Sequence, residues 1–243
     1  SVTKCNLNIG KVFPSLNSTR LRTVDFSGNN CTISLADIDI APPPTLLHIN
    51  VNEVTWGGST LIGFFKYIDK FFTGSLKLGI ARAEVQTEEW MNFFSEIRKI
   101  KFSNIRGLLW SNNPVHNNFL KYLKRNQKLH SLTVNGCFHE IDPEIIIQFS
   151  VFLVSTKSLK KLNIESNENA YLGKYTIPIL TAIQATNRIT FLNINNSKCG
   201  NEGATQIKHI LKQNTNIETL HCDGMNPTNA HPYNEMIDIV IDM

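Results

Sequence analysis

The chain is short of several things, and each shortage removes a class of protein. No window holds 18 uninterrupted apolar residues, so no membrane span is expected. The opening Ser1-Val2-Thr3-Lys4 offers neither an initiator Met nor the apolar core of a signal peptide. Both ends therefore read as cuts through a longer chain. Cysteine is scarce: five residues, an odd number widely scattered, do not make the staple framework of a small extracellular domain. A reduced, cytoplasmic protein is expected. Excess charge is also small, with 24 Lys and Arg against 20 Asp and Glu for a net +4. That is too little to call for nucleic acid, which is not an expected partner.

Catalytic and ligand-binding patterns are missing as well. Gly57-Gly58 lacks the Lys-Ser/Thr that completes a phosphate-cradling loop. Cys137 and His139 lack two further ligands at metal spacing. His221-Cys222-Asp223 resembles a nucleophile with its base. In a strand, however, Cys222 faces one side while His221 and Asp223 face the other, so no contact forms between them. No enzyme, no cofactor and no small-molecule substrate are expected. Three N-x-S/T sequons, at Asn17, Asn30 and Asn195, read as chance in a chain rich in Asn, Ser and Thr.

What the chain does have is a repeat. Leu129-His-Ser-Leu132-Thr-Val134-Asn-Gly-Cys137 places apolar residues at positions one, four and six and a small polar or thiol residue at nine. The pattern returns at Leu159-Lys-Lys-Leu162-Asn-Ile164-Glu-Ser-Asn167, at Ile189-Thr-Phe-Leu192-Asn-Ile194-Asn-Asn-Ser197 and at Ile217-Glu-Thr-Leu220-His-Cys222-Asp-Gly-Met225. Upstream copies begin at Leu21, Leu46, Thr73 and Ile97, the third supported only by alternation at Leu76, Leu78 and Ile80. Successive first positions are separated by 25, 27, 24, 32, 30, 30 and 28 residues, room for one short strand and a helix of two or three turns.

The intervening segments carry helix signals. Leu61, Phe64, Phe65, Ile68 and Phe72 share one face after Gly57-Gly58-Ser59, and Gly74 stops that helix. Thr87-Glu-Glu-Trp90 reads as a cap with an acidic first turn, followed by Phe93, Phe94 and Ile97. Asn113-Pro114 and Asp142-Pro143-Glu144 read as a cap followed by Pro at the first helical position. A last helix holds Met236, Ile237 and Val240.

The core LxxLxLxx(N/C) is that of the leucine-rich repeat. Repeats this long, with Cys199-Gly-Asn-Glu-Gly203-Ala204 at a strand-to-helix turn, resemble the ribonuclease-inhibitor-like subfamily from about Leu21 to the end. Irregular lengths and Asn117 to Asn126 before Leu129 also resemble the CARMIL actin-regulator repeats. Four copies depart from the family by placing Val54, Ala81, Ile105 and Met225 at position nine. The resemblance implies an α/β solenoid, a horseshoe with parallel strands on the concave face and helices on the convex face. One domain of about eight strand–helix units over residues 1–243 is expected, as a fragment of a longer chain.

It also implies a non-catalytic protein–protein interaction scaffold whose partner, another protein, sits on the concave face. The alternative is an architectural segment of a larger cytoskeletal regulator or innate-immune-type sensor whose activity lies elsewhere. Outward strand positions supply the candidate contacts. Lys77, Arg98, Lys99, Lys101, Lys160 and Lys161 form a basic patch, Phe191 is an exposed aromatic anchor, and His221 lies in the same outward set.

Overall fold

A computed structural model describes residues 1–72, 74–100, 104–138, 142–167, 170–213 and 216–225. They form two compact units, Ser1–Leu129 and His130–Met243. The expected last helix around Met236, like Lys101 and His139, lies outside the described residues.

The first unit opens with a short helix α1 (Ile9–Val12) and then runs β1 (Thr23–Asp25), β2 (Asn30–Cys31), β3 (His48–Asn50) and β4 (Thr55–Trp56). It continues through α2 (Thr60–Phe71), β5 (Leu76–Gly79), α3 (Thr87–Ile97), β6 (Ile105–Leu109) and α4 (Asn117–Arg125). Strands β1, β3, β5 and β6 lie side by side, and each adjoining pair is parallel. Register stacks Val24, Ile49, Leu78 and Leu108 as one inward row. All four are buried, as the alternation of a half-buried strand requires.

A second, shorter parallel ladder joins β2 to β4 and extends through bridges at Asn8 with Asn30 and Thr55 with Glu84. Main-chain bonds from Val2 N–H to the Asp25 carbonyl (2.8 Å) and Lys4 N–H to the Ser27 carbonyl (3.0 Å) continue the main ladder ahead of β1. Residues 2–4 thus take the place of a preceding strand beside β1.

Asparagine at position nine ties neighbouring repeats together. Asn29, buried, accepts from the backbone of Cys5 and Leu7 and donates to the carbonyls of Val2 and Phe26. Asn113, also buried, accepts from Ala83 N–H at 2.8 Å and donates to the Ile80 carbonyl at 2.7 Å. Each satisfies main-chain groups that a turn cannot pair by itself. The residue before, at position eight, takes a left-handed backbone in seven of the repeats: Gly28, Glu53, Arg82, Asn112, Gly136, Asn196 and Gly224.

Four expectations for the first unit need correcting. The third strand is paired so that Leu78, not Leu76, stands beside Ile49, two residues from the expected frame. The fourth strand is Ile105–Leu109 rather than the stretch from Ile97, because Ile97 is the last buried residue of α3 and Arg98 caps that helix. In the observed frame Ile105-Arg-Gly-Leu108-Leu-Trp110-Ser-Asn-Asn113 is the fourth copy, with Asn restored at position nine. Asn113 is consequently a ladder residue, and α4 is capped by His116, whose Nδ1 accepts from Asn118 N–H. Likewise Gln86, not Thr87, occupies the cap of α3.

The second unit is β7 (Ser131–Thr133), α5 (Pro143–Ser155), β8 (Lys161–Asn163), α6 (Thr176–Thr186), β9 (Phe191–Asn193), α7 (Gly200–Gln213) and β10 (Thr219–His221). The strands pair in chain order, all parallel, and stack Leu132, Leu162, Leu192 and Leu220 in register. Helix α5 begins as its sequence announces: the Asp142 carboxylate accepts from Glu144 N–H at 2.8 Å and Pro143 takes the first turn.

Candidate interaction surface

Strand alternation decides which side chains the second unit offers. Leu132, Leu162 and Leu192 turn inward and are buried, so positions three and five lie on the opposite face, where Asn193 is nevertheless buried. Position three reads Ser131, Lys161, Phe191 and Thr219 across the four strands, and position five reads Thr133, Asn163, Asn193 and His221. These are the columns that the sequence pattern gives.

The asparagines of position five are partly structural. Asn163 Oδ1 accepts from Glu165 N–H at 3.1 Å, and Asn193 Oδ1 accepts from Asn195 N–H at 3.0 Å, closing the bend that ends each strand. Asn195 in turn accepts from Asp223 N–H at 2.8 Å. The side chains left for a partner are fewer than the outward pattern suggests.

Phe191 is the exception in chemistry. It is a half-buried aromatic on an otherwise polar strand face, flanked in register by Lys161 and Thr219. The His221 ring packs on it with centroids 5.5 Å apart at 48°. Beside it lies an open depression of about 350 Å³ lined by Ser131, Leu132, Thr133, Lys161, Asn163 and Phe191. The structure therefore brings together Lys161, Phe191 and His221. Lys160 stands just before β8, where its carbonyl accepts from Thr190 and Phe191 N–H and its own N–H donates to His130.

The other candidate cations do not share one strand surface. Lys77 is exposed on β5 beside His48, in the position-three column and not the expected position-five column. Arg98 and Lys99 sit at the C-terminal end of α3, off the strands, because the strand they were assigned to begins at Ile105. Lys99 is paired with Glu96 there. Lys101 lies outside the described residues. Sequence reasoning missed Arg106, exposed at a bulge in β6, where the register slips between Leu76 and Lys77.

Two of the thiols, Cys31 and Cys222, are poor nucleophiles. Burial pushes the Cys222 thiol up to about 11, with further contributions from Asp223 and Cys199, and burial does the same for Cys31. At neutral pH both are protonated, and a thiol rather than a thiolate attacks slowly. Among the described residues, no group of three His, Cys, Asp or Glu side chains converges as a metal ion requires. No helix among them is long and apolar enough to cross a membrane.

The fold and surface define an α/β protein of parallel strands alternating with helices, compatible with a leucine-rich-repeat arrangement. No protein-family model matches the chain, and no curated protein does. Among solved structures it is similar to a tropomodulin C-terminal domain from Caenorhabditis elegans, at 12% sequence identity and a TM-score of 0.46. That likeness covers 61% of this chain and 89% of the other. A likeness of that degree carries no weight for function.

Proposed function

We propose that the chain is a non-catalytic protein-binding scaffold built of ribonuclease-inhibitor-like leucine-rich repeats. Its partner is another protein, taken on the strand face of the second unit. The observation that carries this reading is Phe191, an aromatic at an outward strand position beside a depression, with Lys161 on one side and the His221 ring against it. Aromatic and cationic side chains at the centre of a polar surface are what binding hot spots are made of. A side chain whose only task was solubility would be polar, as Ser131, Lys161 and Thr219 are in the same column.

The non-catalytic part of the reading rests on the arrangement around His221, where the neighbouring thiol is held protonated and no base reaches it in the strand geometry. A cytoplasmic location belongs to the same reading, from five scattered free cysteines.

The test is capture of partners on the immobilised chain, their identification by mass spectrometry, and reconstitution of the purified pair. Phe191→Ser is expected to weaken the reconstituted complex about thirtyfold, the size of a hot spot near 2 kcal/mol, with the melting temperature unchanged. A pair that binds Phe191→Ser as tightly as the parent chain contradicts the reading. So does turnover of any substrate that His221→Ala abolishes.

A further inference from the structure

Charge is distributed unevenly, and the first unit holds the excess. From Ile97 through His139 the sequence contains eight Lys and Arg and no Asp or Glu. That stretch alone carries +8, while the whole chain carries +4 and the remainder therefore −4. A mildly basic protein thus contains a strongly basic segment.

The fold gathers part of this charge at one place. Helix α4 buries Phe119, Leu120, Tyr122 and Leu123, which leaves Lys121, Lys124 and Arg125 exposed on its other side. The Arg125 guanidinium reaches across to donate to the Arg98 carbonyl at the end of α3. Just beyond α4, Lys128 Nζ donates to Asn104 Oδ1 at 2.9 Å, and Asn104 is itself fixed to the Phe72 carbonyl at 2.8 Å. Arg98, Lys124, Arg125 and Lys128 are all exposed.

Five other cations of this unit stand in ion pairs. Lys4 and Arg82 pair with Glu53, Lys66 and Lys99 with Glu96, and Lys70 with Asp39. Among the described residues, no carboxylate stands within ion-pair distance of Arg98, Lys124, Arg125 or Lys128. Glu96 is already shared by two lysines, and the charge of Asp69 acts on Tyr122 together with that of Arg125. Cations in the last turn of a helix do favour its dipole, but only weakly. That explains one or two of them and not an acid-free run.

We propose that this edge of the first unit, Arg98 with Lys124, Arg125 and Lys128, is a docking surface for an acidic polypeptide segment. It is independent of the strand-face reading of the second unit. Charge complementarity selects the sign of the partner, and the surroundings select its class. Among the described residues of the stretch, Trp110, Phe119, Tyr122 and Phe138 are buried and offer no exposed ring on which a base of single-stranded nucleic acid stacks. Among the described residues between Ile97 and His139, no large apolar side chain is exposed, so none of them anchors the stretch in a lipid interface.

The test is fluorescence anisotropy with labelled oligoglutamate, run beside oligothymidylate and phosphatidylserine vesicles, using the whole chain. Lys124→Glu/Arg125→Glu/Lys128→Glu is expected to weaken oligoglutamate binding at least about tenfold at low salt. Lys157→Glu/Lys174→Glu/Lys212→Glu, the same charge change in the second unit, is expected to weaken it less than about threefold. The milder Lys124→Gln/Lys128→Gln is expected to cost about threefold with an unchanged melting curve, which covers misfolding of the triple variant. Equal losses in both triple variants overturn the proposal, because bulk charge then suffices. Tighter binding of oligothymidylate or vesicles, lost in the same variants, overturns the assignment to an acidic polypeptide. Phe191→Ser is expected to leave oligoglutamate binding intact, so failure here and failure of the strand-face reading are told apart.

Discussion

The two units share a repeat frame and fill it differently. In the second, the inward rows are aliphatic: Leu132, Leu162 and Leu192, with Val134 and Ile164 two residues on. In the first, position six holds Phe26, Val51, Ile80 and Trp110, and a network of rings packs behind them. Phe65 lies within 6.3 Å of Phe64, Phe93, Trp110 and Tyr122, while Trp110 stacks on Phe119 at 4.5 Å and on Phe93 at 5.8 Å. Uniform side chains let each repeat copy its neighbour. The first unit, filled by large rings of unequal shape, also holds the register shift between β5 and β6.

The largest effect is expected from making the first unit resemble the second at position six. Trp110→Leu leaves a hole among four rings and should cost about 3 kcal/mol in urea unfolding. Ile164→Leu at the same repeat position of the second unit should cost less than about 1.5 kcal/mol. Equal costs would remove the distinction between the two cores.

Next comes the asparagine of position nine. Asn113→Ala strands the Ala83 N–H and the Ile80 carbonyl and should cost about 2–3 kcal/mol by the same assay. The second unit puts Cys137 there, bonded to the Asn135 carbonyl at 3.6 Å, and Cys137→Ala should cost about 1 kcal/mol.

A smaller effect is expected from pH. Burial, with a lesser contribution from Lys121, holds the His116 pKa below its ordinary 6.5, and the ring stacks on Phe94 at 5.0 Å. Above 6.5 the folded and unfolded chains are both neutral at this site and its contribution is full. Below 6.5 the unfolded chain takes up a proton that the folded chain resists, so stability falls until the folded pKa is passed and is then level. His116→Asn keeps an acceptor for Asn118 N–H and should flatten this component between pH 7 and 5, measured as the difference between variant and parent melting curves.

The same contrast explains what the sequence made legible. All four strands of the second unit, and the outward columns ending at Phe191 and His221, follow from position counting alone, because Leu and Ile recur there without competing apolar residues. The third strand misleads: Leu76, Leu78 and Ile80 alternate, and a two-residue shift leaves every side chain on its original face, so the pattern fits two frames equally. The fourth misleads because Ile97, Ile100 and the residues around them copy the repeat core while Ile97 is finishing the buried stripe of α3. The usable signal was Asn113 at position nine after Leu108 and Trp110, hidden by a ring where the repeat expects an aliphatic residue. Arg98 and Lys99 moved off the strand surface with that correction. Lys161, Phe191 and His221 did not move, since they belong to the regular unit.

The repeat frame of the first unit is tested most directly by backbone NMR of the isotope-labelled chain. Interstrand amide contacts are expected to run from Leu78 and Gly79 to Leu108 and Leu109, with slow exchange of the Ile80 amide that donates to Leu109. Extended chemical shifts through Ile97 to Ile100, with contacts from those residues to β5, would contradict the account.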